Sequence, residues 1–119
     1  MSSMTKIPAQ PQTGVPTVGH AELADDVCLI DVREIHEWEL GHAPRSVCVP
    51  LGELESRLAE LPAGTRIVVC CLDGDRASRA VAFLITVGRD AVNLIGGMRE
   101  WARSNRPLAH TGPGAPEVR

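Results

Sequence analysis

Short, unbroken apolar runs alternate along the chain with segments whose apolar residues recur every three or four positions. Val27 to Ile30, Val47 to Val49, Ile67 to Cys71 and Ala91 to Ile95 are too continuously apolar for a sheet with one wet face, and they predict strands buried on both sides. Between and after them, Glu34 to Leu40, Leu51 to Leu61, Ala77 to Val87 and Met98 to Ser104 predict helices; in the second, Leu51, Leu54, Leu58 and Leu61 share one helical face. Strands and helices alternating through short connections are how a parallel sheet covered by helices is written into sequence. The expected fold is α/β, a three-layer domain with a small, mostly parallel sheet and helices on both faces.

The patterned part runs from residue 15 to residue 108. Residues 1 to 14, with Pro, Gln, Ser and Thr and no period, and residues 109 to 119, broken by Gly and Pro, are expected to be disordered tails. A chain of 119 residues suits one domain, and no internal repeat points to a solenoid. Trp38, Phe83 and Trp101 are the only aromatic residues, so the core has to be aliphatic, with the two tryptophans expected to cover it.

Charge and composition then narrow the function. A net charge of -3 without a Lys/Arg-rich run argues against nucleic acid as a partner. No run approaches the roughly 20 apolar residues that cross a bilayer, and the opening residues lack the apolar segment of a secretory signal, so the expected setting is cytoplasmic and away from membranes. The four cysteines, Cys28, Cys48, Cys70 and Cys71, lie in strand-like runs and none forms a CxxC pair; reduced thiols are expected, with Cys28 and Cys48 in the core. His20, His36, His42 and His110 are scattered, and adjacent Cys70 and Cys71 face opposite sides of a strand. No metal site and no cofactor is expected, and nothing demands more than a monomer.

One cysteine stands at a chemically favoured place. In a parallel α/β sheet, ligands gather beyond the carboxyl ends of the strands, where the next helix presents unpaired N–H groups. Cys71 ends the third run; Leu72, Asp73, Gly74, Asp75 and Arg76 follow, and a helix is predicted from Ala77. The sulfur is thereby expected at the mouth of a bowl of amides, with Gly74 allowing a positive φ and Arg76 adding a cationic fork. Such a bowl favours an anion, and the thiolate is the nucleophilic form of cysteine. A strand-end cysteine packed in the core is the plainer alternative.

Three ordered motifs resemble the single-domain rhodanese family of sulfurtransferases, across nearly all of the patterned region. Asp31-Val32-Arg33-Glu34, with Glu37-Trp38, Gly41-His42-Ala43-Pro44 and then Val49-Pro50-Leu51, is similar to the family's first signature. Cys71-Leu72-Asp73-Gly74-Asp75-Arg76 resembles its active-site ring, and Gly96-Gly97 followed by Trp101 and Pro107 resembles its closing signature. The resemblance implies that Cys71 takes a sulfane sulfur from a small donor, thiosulfate or a persulfide, and passes it to a thiol or protein acceptor. It also implies that residues 72 to 77 cradle the persulfide, with Asp31 and Arg33 in support. An ion pair of Arg33 with Glu34 and Glu37 would serve only to steady a turn. His42 is expected to make a turn-stabilising hydrogen bond.

The chain departs from the family's pattern in its ring. Asp73 and Asp75 stand where basic or hydroxyl residues are common, and each opposes an incoming dianion by about 1 kcal/mol, unless they merely cap the helix. Position 77 is Ala where a hydroxyl residue is frequent. Cys70 and Arg76 also have the C-x5-R spacing of phosphatases and arsenate reductases, which offers a second chemistry through Cys70. A non-catalytic module using the fold for binding is a third reading.

Overall fold

A computed structural model describes residues 6–24 and 26–119. The sheet has five strands, β1 (Thr17–Val18), β2 (Cys28–Asp31), β3 (Val47–Cys48), β4 (Ile67–Cys70) and β5 (Ala91–Leu94), in the order β1-β5-β4-β2-β3. All the pairings are parallel: Cys28 is opposite Ile67 and Asp31 opposite Cys70, while Ile67 to Val69 align with Ala91 to Asn93. The helices are α1 (Ile35–Leu40), α2 (Asp75–Thr86) and α3 (Gly97–Arg103). β1, two residues long, is too short to leave a period and was not expected from the sequence.

Alternation along each strand divides the core into two layers. Ile67, Val69 and Cys71 face one side with Ile30 and Val32, where Ala77, Ala80, Val81 and Leu84 of α2 cover them. Val68 and Cys70 face the other side with Leu29 and Val92, beneath Met98 and Trp101 of α3. The three-layer expectation therefore holds. Apolar residues of α2 recur at i, i+3, i+4 and i+7, which keeps one stripe inward, and the left-handed Gly88 (φ 89°) closes the chain behind it.

The predicted helix over 51 to 61 is not continuous. It is two short 3-10 turns, Leu51–Glu53 and Leu58–Glu60, broken at Arg57 (φ -105°, ψ 14°). Pro50, Gly52 and Pro62 lower helical preference at both ends, yet Leu51, Leu54 and Leu61 still reach the core. α2 begins two residues earlier than predicted, because Gly74 serves as its cap in a left-handed conformation (φ 118°).

The described parts of the end segments make contacts with the domain. The Gln12 amide donates to Ser78 Oγ (2.8 Å), Arg79 Nε donates to the Pro8 carbonyl (2.7 Å), and Ile7 packs on the α2 layer. Ala109 and His42 exchange backbone hydrogen bonds, the amides of Thr111 and Glu117 donate to Glu39 and Leu40, and Val118 packs on the α3 layer. These sparse apolar and backbone contacts carry no period. The part of the N-terminal expectation that concerns residues 1–5 lies outside the described residues. Among the described residues, no helix is long and apolar enough to cross a membrane.

Leu54 has no exposed surface, whereas Leu58 is half-buried. Leu54→Ala is expected to lower unfolding free energy by about 2–5 kcal/mol and Leu58→Ala by much less, measured by urea denaturation.

Candidate functional site

β4 lies inside the sheet, between β2 and β5, and its carboxyl end delivers Cys71 to the start of α2. The Cys71 Sγ accepts N–H bonds from Gly74 (3.0 Å) and Ala77 (3.3 Å). Cys71 is fully buried within the α2 layer of the core, so its thiol is both packed and cradled. Of the amides expected in the bowl, these two are the ones that meet the sulfur. The Asp75 amide donates instead to Asp73 Oδ1 (3.1 Å), so Asp73 steadies the turn into the helix as a capping residue would. Asp75 sits in the first turn, where the helix dipole favours a carboxylate, and both acids are exposed.

The loop is held from outside by groups that donate to its carbonyls. The Met98 amide donates to the Cys71 carbonyl (2.8 Å) and the Arg99 amide to the Leu72 carbonyl (2.9 Å). That approach requires glycine at 97: with φ 53°, a side chain there would meet the backbone oxygens of Cys71 and Leu72. The Gly96-Gly97 pair thus acts by bringing the α3 amides onto the sulfur loop. Asn93 Nδ2 donates to the Gly74 carbonyl (3.1 Å) and thereby fixes the peptide unit beside the first donor amide. Asn93 was missed from sequence, although a polar residue in the middle of an apolar strand is a signal that buried hydrogen bonding is at work.

The expected cationic fork is engaged elsewhere. Arg76 makes two bonds to Glu37 of α1, Nη1 to Oε1 at 2.8 Å and Nη2 to Oε2 at 3.1 Å. The bond to Arg76 holds the Glu37 carboxyl down to about 2, and the same contact raises the Arg76 guanidinium. Arg76 therefore ties α1 to the loop rather than presenting a free fork to the sulfur.

Asp31 and Arg33 form their own buried pair. Arg33 Nη2 meets Asp31 Oδ2 at 2.8 Å and the Gly41 carbonyl at 2.9 Å, with both side chains fully buried. The ion pair expected with Glu34 and Glu37 is replaced by this one with Asp31. Beyond it, the His42 ring bonds the Trp38 carbonyl (2.7 Å) and stacks on the Trp38 ring at 3.5 Å. Trp101 closes the α3 layer, its Nε1 donating to the Pro107 carbonyl (2.8 Å), whereas Trp38 is only partly buried.

The other thiols differ in environment. Cys70 points into the opposite layer from Cys71, and burial, followed by the charge of Asp31, pushes its thiol up. That setting opposes a Cys70 thiolate. Cys48 is half-buried rather than core and burial pushes it up to about 12; Cys28 is half-buried too. No cluster of three or more metal-ligating side chains occurs among the described residues. An apolar cavity of about 340 Å³ between Leu29, Pro44 and Trp101 borders the α3 layer and contains no nucleophile.

Residues 18–104 match the family described as Rhodanese-like domain. The chain is similar to a putative sulfur carrier protein, YrkF, of Bacillus subtilis, at 39% identity over 61% of this chain and 40% of that protein. It is also similar to a sulfurtransferase of Allochromatium vinosum, at 34% identity over 71% of this chain and 79% of that one. A rhodanese-related protein from Thermoplasma volcanium has a similar crystal structure, with TM-score 0.76 and 27% identity over 81% of this chain and 99% of that chain. The chain thus spans two-fifths of the first relative and most of the other two.

Because Glu37 titrates at about 2 instead of about 4.5, the Glu37–Arg76 pair adds stability that is complete above about pH 5 and lost as pH falls toward 2. In urea denaturation as a function of pH, Glu37→Gln is expected to lose stability at neutral pH and to show a smaller acid-induced decline than the wild type.

Proposed function

Since the chain belongs to the rhodanese-like domain family, we propose that it is a sulfurtransferase that carries sulfane sulfur as a persulfide on Cys71. The observation that carries this reading is the pair of amide donors, Gly74 and Ala77, on the Cys71 sulfur at the amino end of α2. A terminal persulfide sulfur is anionic near neutral pH, and preoriented N–H dipoles at a helix start stabilise an anion without metal or cofactor.

The exchange runs in two displacements. The Cys71 thiolate attacks the outer sulfur of thiosulfate or a small persulfide, forming a new S–S bond while the donor's S–S bond breaks. Sulfite or a thiolate departs with the electron pair. An acceptor thiol, free or on a partner protein, then attacks the terminal sulfur, and the Cys71 thiolate leaves. Residues 72 to 77 frame that sulfur: Gly74 and Ala77 donate to it, Leu72 and Asp73 shape the turn, and Asp75 and Arg76 begin the helix. Asp31 and Arg33 act at a distance by holding the turn at Gly41. Cys71 has no exposed surface, so a donor reaches it when the loop in front of the sulfur moves. Asp73 Oδ1, 4.0 Å from the sulfur, disfavours dianionic thiosulfate relative to less charged donors. A reducing setting such as the cytoplasm keeps such a thiol available.

Treating the protein with thiosulfate or a low-molecular-weight persulfide and weighing the intact chain tests the proposal. Cys71→Ser is expected to abolish the gain of one sulfur atom and Cys70→Ser to retain it; the reverse pattern would favour chemistry at Cys70, and no gain in the wild type would reject sulfur carriage.

A further inference from the structure

We propose that the apolar cavity on the α3 side of the sheet binds a small carboxylic acid with an apolar tail, and that Arg106 pairs with its carboxylate. The cavity, about 340 Å³, is of the size that small-molecule sites have. Val27, Leu29, Ala43, Pro44 and Trp101 are among its apolar walls. The charged residues that line it are Arg45 and Arg106, and no described carboxylate does. Leu29, Ala43 and Trp101 belong to the core layer opposite that of Cys71, so the site is separate from the sulfur.

Arg106 is placed on the wall by the way α3 ends. The left-handed Asn105 (φ 55°) donates its amide to the Ala102 carbonyl (3.0 Å), and the Arg106 amide reaches back to the Trp101 carbonyl (3.2 Å). This pair of bonds stops the helix and folds residue 106 over residue 101. The guanidinium carbon lies 3.7 Å from the centre of the Trp101 ring, and that ring is itself fixed by its Nε1 bond to the Pro107 carbonyl (2.8 Å). Stacking occupies the face of the guanidinium but leaves the N–H donors in its plane unused. Among the described residues, none accepts a hydrogen bond from this guanidinium or forms an ion pair with it. Glu100, on the same helix, is engaged instead by Ser104 Oγ (3.0 Å) and Arg103 (3.9 Å). Arg106 is only partly buried, so an anion entering the cavity meets a cation that is already ordered.

The lining selects the ligand. An apolar tail is removed from water by Leu29, Ala43 and Trp101, whereas a small inorganic anion would lose its hydration against the same walls with few donors to replace it. A cation meets two guanidinium groups of its own sign. A neutral alcohol gains the apolar contact alone. A carboxylic acid with a chain of several carbons gains that contact and a charge-assisted pair in the guanidinium plane. With no nucleophile on the walls, occupation is non-covalent.

Titrating the full chain with octanoate, 1-octanol and octylammonium at constant ionic strength, and following the two indole Nε1–H signals by NMR, tests the site. Trp101 lines the cavity, while Trp38, whose Nε1 donates to Ser46 Oγ, does not and serves as the internal control. Saturable shifts at Trp101 are expected, with octanoate binding about fivefold more tightly than octanol, and octylammonium more weakly than either. A purely apolar groove would favour octanol over octanoate, because the alcohol sheds water more readily than the carboxylate. Arg106→Gln, which keeps a planar group beside the ring, is expected to abolish the advantage of octanoate and to leave octanol binding as it was. Octanol binding as tightly as octanoate to the wild type, an unchanged preference in Arg106→Gln, or shifts no larger at Trp101 than at Trp38 would overturn the site.

Discussion

The convergence of two backbone amides on one sulfur is the constraint around which this domain is organised. Backbone donors at a helix start can stabilise a negative sulfur without a cation that would compete with substrate, but only if the peptide planes are held still. Cys71 supplies the sulfur from the end of an interior strand, and the turn through the left-handed Gly74 brings its own amide and that of Ala77 onto it. A displacement of either peptide would lose the geometry.

Much of the surrounding structure holds those peptides from three directions. α3 donates two amides to the loop's first carbonyls, an approach that a side chain at Gly97 would block. Asn93 holds the Gly74 carbonyl from β5, and the Glu37–Arg76 pair ties the beginning of α2 to α1. The fully buried Asp31–Arg33 pair reaches the Gly41 turn from the next strand. Buried pairs of this kind give orientation more readily than net stability, because desolvation offsets most of their attraction. The charged residues around the sulfur are thus largely committed to one another, leaving amides to face it and two exposed carboxylates to shape what approaches.

The fold was legible in the sequence where apolar residues repeat. Four of the five strands and the helix covering Cys71 follow from continuous runs and a clear 3.6 period, and the alternation that separates Cys70 from Cys71 follows from strand geometry alone. Leu51 to Leu61 misled because leucines in successive 3-10 turns fall on one face much as they do in a helix, while Pro and Gly decide the backbone. β1 and the end segments are held by a few scattered hydrogen bonds and apolar contacts, which leave no pattern. At the site, the identity of the sulfur and its glycine was readable, but the partners were not. That Arg76 pairs with Glu37, 39 residues away, and that Asn93 reaches Gly74 are properties of the tertiary arrangement.

The most direct test is a crystal structure of the protein soaked with a sulfane-sulfur donor. The account predicts density for one additional atom bonded to Cys71 Sγ, with the Gly74 and Ala77 amides directed at the two-sulfur unit. Additional density on Cys70, or a modified Cys71 turned away from both amides, would contradict it.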